Sequence, residues 1–162
     1  MADFFTQFSC LFDVGAAANI ERALDIRAEL AAALEAEEGI DIGFEAEPNP
    51  DSGDATLWIS SDCYGEPEHV IRFVVACAEA FELQGRWGFT WSLSCSKPRL
   101  DAFGGGAQLI DLSSRRSIGW VVCADWLEAE LIDNTPQSPP QADDLPVSQP
   151  EPLQAGGDRP CA

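Results

Sequence analysis

The chain has 162 residues, 46% of them apolar and five of them Trp, which excludes wholesale disorder and leaves room for one domain with a proper core. Its 28 acidic residues against nine basic ones give a formal charge of −19, which excludes direct binding to nucleic acid or to an anionic membrane surface. No apolar run approaches the ~18 residues of a membrane-spanning helix, and Met-Ala-Asp-Phe-Phe-Thr at the start has no basic region ahead of an apolar one, so a cytoplasmic protein is expected.

Phe4, Thr6, Phe8, Cys10 and Phe12 alternate along an opening strand. After a break at Gly15, Asn19 suits a helix N-cap. Ile20, Ala23, Leu24, Leu30, Ala31 and Leu34 then lay an apolar stripe along a helix that reaches Glu38 and stops at Gly39. Glu21, Asp25 and Glu29 fall four apart on an adjoining face. Glu35, Glu37 and Glu38 crowd the last turn, the unfavourable end for negative charge. Ile40, Ile42, Phe44 and Ala46 next alternate with Asp41, Gly43, Glu45 and Glu47. Residues 48–54 turn the chain and Thr56–Ser61 returns, which predicts an antiparallel hairpin with one acidic face and an acidic tip at Asp51 and Asp54.

A second helix opens at Gly65-Glu-Pro-Glu68, with Pro67 suited to the first helical position. Val70, Ile71, Phe73, Val74, Val75, Cys77 and Phe81 make it apolar around most of its girth, so it is expected to be largely buried, with Gly85 as its end. Trp87, Phe89, Trp91, Leu93 and Cys95 then share one face of a strand whose other face carries Gly88, Thr90, Ser92 and Ser94. This is the heaviest apolar load in the chain, and the core is expected to be built over it. A loop at 96–106, strands at 107–112 and 118–124, and a short helix at 125–131 follow. From Asn134 onward seven of the eleven prolines accompany Gln, Ser, Asp and Gly without apolar periodicity. The organisation read is an acidic α+β domain over 1–133 and a Pro-rich disordered tail over 134–162. Its elements spell a βαββαβ ferredoxin-like core with an extra C-terminal β-hairpin.

Catalytic and metal chemistry find little footing. The six cysteines include no C-x-x-C pair, and Cys10, Cys77, Cys95 and Cys123 fall inside element interiors, which favours reduced thiols over disulfides or zinc. The single histidine, His69, is read as first-turn surface of its helix. Cys63 precedes that helix without a second basic group to activate it. Gly104-Gly105-Gly106 matches no phosphate-loop pattern and is read as a loop needing positive φ or close backbone approach. No catalytic residue, metal site or cofactor is assigned, and the protein is read as a non-enzyme.

Charge is the remaining signal. Between Glu21 and Glu82 sixteen acids face only Arg22, Arg27 and Arg72. Carboxylates at Glu21, Asp25 and Glu29 repeat about every 6 Å along a helix, and a regular row of negative charge can imitate a phosphate backbone. The contact is therefore assigned to Glu21, Asp25, Glu29, Glu35, Glu37, Glu38, Asp41, Glu45, Glu47, Asp51 and Asp54, and the partner to a basic nucleic-acid-binding protein or complex. The competing class is a small-molecule-binding domain or enzyme using the Trp87 and Trp91 face with Lys97 and Arg99 of the following loop.

The stretch Arg86-Trp-Gly-Phe-Thr-Trp91, continuing through Cys95-Ser-Lys-Pro-Arg-Leu-Asp-Ala-Phe-Gly-Gly-Gly-Ala107, resembles one found in small, uncharacterised acidic proteins of bacterial plasmids and prophages. The resemblance implies a mobile-element origin and, by analogy of class, an inhibitor of host defence of the anti-restriction or anti-CRISPR kind. It transfers no catalytic residue.

Overall fold

The computed structural model describes residues 2–100 and 102–132, and the tail predicted over 134–162 lies outside them. The strands are β1 (Phe4–Asp13), β2 (Glu45–Pro48), β3 (Thr56–Ser61), β4 (Arg86–Cys95), β5 (Gly104–Asp111) and β6 (Arg116–Val122). The helices are α1 (Ile20–Glu38), α2 (Pro67–Ala80) and α3 (Cys123–Ile132). The protein is mixed α+β. One six-stranded sheet runs in the order β2-β3-β1-β4-β5-β6, and every neighbouring pair is antiparallel.

Period-two alternation sends Phe8 and Phe12 of β1, Leu57 and Ile59 of β3, Phe89 of β4 and Ile110 of β5 to the face that α1 and α2 cover. α2 is buried through Val70, Phe73, Val74, Cys77 and Ala78, as its near-continuous apolar girth predicts. The centre of the core is not β4. Phe12, Leu57, Ile59, Val70, Phe73 and Val74 are all wholly inaccessible, and the Phe73 ring meets Phe12 edge-on at 6.2 Å and Phe44 at 5.6 Å. On β4 only Phe89 is fully buried, while Trp87 and Trp91 are half-buried and Leu93 is exposed. The apolar load of β4 exceeds what two helices centred over β1 and β3 cover.

Three local expectations change. Asn19 does not cap α1 with its side chain; its Nδ2 donates instead to the Val14 carbonyl at 2.8 Å. The first arm of the acidic hairpin pairs only from Glu45, because side chains from the helices take the carbonyls upstream. Ile42 O lies 3.0 Å from His69 Nδ1, and Phe44 O accepts from Arg27 Nε at 3.1 Å and from Arg27 Nη2. A backbone whose acceptors are engaged this way does not need a sheet ladder. The three glycines lie inside β5 rather than in a loop. A Cβ on Gly105, whose φ is +141°, would sit 2.2 Å from the Trp91 carbonyl oxygen, and one on Gly106 would sit 2.4 Å from the Trp91 ring. Both halves of the expectation are met, close approach at Gly105 and Gly106 and a positive φ at Gly105.

Candidate functional site

The open face of the sheet, opposite the helices, holds a groove of about 620 Å³ at the β2 edge. Register creates it. Glu45 stands opposite Ser60 and Glu47 opposite Trp58, so both carboxylates and the Trp58 indole project on the side away from Leu57 and Ile59. Asp41 closes one part, its Oδ1 accepting from the Gly43 N–H at 2.8 Å, and Asp62 and Tyr64 follow the end of β3. Trp58 is 41% exposed, with its Nε1–H donating to Ser9 Oγ at 2.8 Å, and Tyr64 is 75% exposed. Four carboxylates and two solvent-facing aromatic rings thus share one concavity. Among them only Glu45 has a cationic partner among the described residues, Arg27 at 2.8 Å.

Arg27 builds this edge. Its side chain is only 20% exposed, donates from Nε and Nη2 to the Phe44 carbonyl, and lies 5.5 Å from the Phe44 ring centroid. His69, expected on the surface, is buried on α2 and holds the Ile42 carbonyl. The two helices therefore fix residues 42–44 from behind, and those residues carry Asp41 and Glu45 into the groove.

All eleven acids assigned from the sequence are exposed, but they do not form a single surface. Asp41, Glu45 and Glu47 enter the groove. Glu21, Asp25 and Glu29 run along the outer face of α1, in the layer on the other side of the sheet. There the row is interrupted: Glu29 is bound by Arg22 at 2.6 Å, and this hydrogen bond with its charge holds the Glu29 carboxyl below its ordinary pKa. Glu35, Glu37 and Glu38 end α1, with Glu38 3.7 Å from Arg72, and Asp51 and Asp54 occupy the β2–β3 turn. Asp62, Trp58 and Tyr64 were missed. Strict alternation along Thr56–Ser61 puts Trp58 on the acidic face, and that was the signal available.

The residues of the alternative site stand apart. Trp87 is packed into the sheet, stacked on Phe89 at 5.4 Å with its Nε1–H on the Leu11 carbonyl at 2.7 Å. Arg99 lies 6.0 Å from the Phe4 ring, and Lys97 is exposed. A cavity of about 550 Å³ beside Trp91 is lined by Glu66, Glu68, Ile71 and Leu93 rather than by Lys97 or Arg99.

The five cysteines among the described residues are free. Burial pushes the Cys10 and Cys77 thiols up to about 12. The Cys63 thiol is raised as well, by desolvation first and by the charge of Asp62 second, the opposite of what a thiolate nucleophile needs. Among the described residues no three His, Cys, Asp or Glu side chains are arranged to hold a metal ion, and no helix is long and apolar enough to cross a membrane. No protein-family model, curated protein or solved structure matches the chain.

Proposed function

We propose that the protein is a non-enzymatic acidic inhibitor that occupies the basic groove of a nucleic-acid-processing complex of the host-defence type, and that the β2-edge groove makes the contact. The observation that carries the reading is the convergence of Asp41, Glu45, Glu47 and Asp62 with Trp58 and Tyr64, three of the four carboxylates lacking a cationic partner among the described residues. A guanidinium or ammonium group entering such a site gains a carboxylate and an aromatic face together. The ring adds ~0.5–2 kcal/mol to an ion pair that alone is worth ~0–1 kcal/mol at an exposed surface. The α1 row offers only the exposed ion pairs, and Arg22 already offsets one of its charges. Magnitudes therefore favour the groove as the anchor, with the α1 row adding long-range attraction.

The ferredoxin-like assignment of the first six elements belongs to the same proposal, supported by the strand order β2-β3-β1-β4 with α1 and α2 as connections. A cytoplasmic setting is supported by the free thiols. The test is to add the full-length protein to purified restriction and CRISPR effector complexes at low salt. Release of bound duplex DNA with loss of cleavage, both relieved as salt rises, is expected. Undiminished cleavage across the panel with the protein in large excess would refute the reading.

A further inference from the structure

The two edges of the sheet are built differently. At one, β2 is short, ends in Pro48 and carries Glu45 and Glu47, the usual devices that stop a free edge from pairing. At the other, β6 is seven residues long and reads Ser-Ile-Gly-Trp-Val-Val after Arg116, with no proline and no charge from Ser117 to Val122. Its one irregularity is a register shift against β5 near Ile118, which leaves Gly119–Val122 regularly paired. Around this edge lie exposed apolar side chains: Ile118, Trp120 (67% exposed) and Val121 of β6, and Trp126, Leu127 and Leu131 of α3, which packs beside β5 and β6. Fully exposed aromatic side chains offer ~150–250 Å² each, so these residues leave roughly 600–700 Å² of apolar surface uncovered. It is spread over both sides of this edge, since Trp120 and Val121 alternate to opposite faces of β6, so a strand pairing here would cover part of it on each face.

Charge identifies the occupant. In a chain of net −19, Arg115 and Arg116 stand together at the start of β6, and neither has an ion-pair partner among the described residues. Asp111, opposite Arg116 in the β5–β6 register, is engaged by the Ser113 and Ser114 N–H groups of the turn. Beyond the other end of β6, α3 begins with Asp125 and continues to Glu128 and Glu130. The edge is thus basic at its start, uncharged along its middle and acidic past its end. A copy of the same strand turned antiparallel across a two-fold axis matches it throughout. With the axis at Gly119 or at Trp120, Arg116 falls beside residue 122 or 124 of the second copy, one to three residues from that copy's Asp125 in the first turn of α3.

We infer that the protein self-associates through β6, two copies pairing this strand antiparallel into one continuous sheet, with Arg116 of each copy meeting Asp125 of the other. The acidic β2 edges then point outward at both ends of the dimer. Sedimentation of the full chain at micromolar concentrations tests this. The expected result is a species of twice the 17.5 kDa chain mass. Trp120→Lys, its fold checked by circular dichroism, is expected to shift the species to monomer. Arg116→Glu alone and Asp125→Arg alone should each weaken the dimer about tenfold, the two together restoring it. A monomer at all concentrations overturns the proposal, as does a dimer indifferent to Trp120→Lys and to both charge reversals. Neither result bears on binding by the β2-edge groove.

Discussion

Replacing Arg27 by Met separates two contributions that meet at one side chain. Met keeps most of the apolar stem against α1 but removes the donors to the Phe44 carbonyl, the contact with the Phe44 ring at 5.5 Å and the pair with Glu45. A charged donor to a buried carbonyl is worth ~1.5–3 kcal/mol, and an exposed cation–π contact ~0.5–1 kcal/mol. Glu45 is 74% exposed, so the ion pair adds at most ~1 kcal/mol. Urea unfolding of Arg27→Met should therefore show a loss of about 2–5 kcal/mol with little change in slope, against under ~1 kcal/mol for Glu45→Gln. Arg27→Lys should fall between, since a compact ammonium cannot present two N–H groups to one carbonyl as a guanidinium does. If Glu45→Gln costs as much as Arg27→Met, the carbonyl is not the principal partner and the account of this edge is wrong.

Three further outcomes follow from the packing and the ionisations. Gly106→Ala places a methyl 2.4 Å from both the Trp91 ring and the Val121 carbonyl oxygen, so thermal unfolding should report a loss of roughly 1–3 kcal/mol; an unchanged midpoint would mean that Trp91 does not lie over this strand. Cys77 is inaccessible and its thiol is pushed up to about 12, so its neutral form stabilises the fold fully below the ordinary value of 9.0 and that contribution is lost as pH rises toward 12. Wild-type stability should therefore fall between those values with a slope that Cys77→Ala reduces by about 1.4 kcal/mol per pH unit; identical slopes would contradict the burial. Asp111 is held below its usual range by N–H groups of Ser114 and Ser113, so its contribution is present above the ordinary carboxylate pKa and fades as pH falls through the lowered one; Asp111→Asn should flatten that acid limb of the stability curve.

Much of the architecture could be read from periodicity. Phe4–Phe12 and Trp87–Cys95 alternate cleanly and are strands; the apolar girth of Val70–Phe81 marks a buried helix; Gly39 ends α1 in the left-handed conformation, at φ 66°. What periodicity hides is how far each face is covered. Trp87, Trp91 and Leu93 outweigh any other stretch in apolar content, yet the helices settle over β1 and β3, where Phe12 and Phe73 meet. Long-range side-chain to backbone bonds were equally hidden. His69 and Arg27 lie 27 and 17 residues from the carbonyls they hold, and no local pattern pairs them. The acidic site was half legible: Asp41, Glu45 and Glu47 follow from alternation, whereas Asp62 and Tyr64 join them only because β3 returns antiparallel beside β2.

The division of the acids between two layers gives the functional proposal its sharpest test. Fluorescence anisotropy of a labelled arginine-rich peptide, titrated with the full-length protein at low salt, should report binding that salt weakens. A variant combining Asp41→Asn, Glu45→Gln, Glu47→Gln and Asp62→Asn is predicted to lose that binding by at least about tenfold, while Glu21→Gln, Asp25→Asn and Glu29→Gln together reduce it only slightly. The opposite ranking, with the groove variant binding as wild type and the α1 variant failing, would contradict the account.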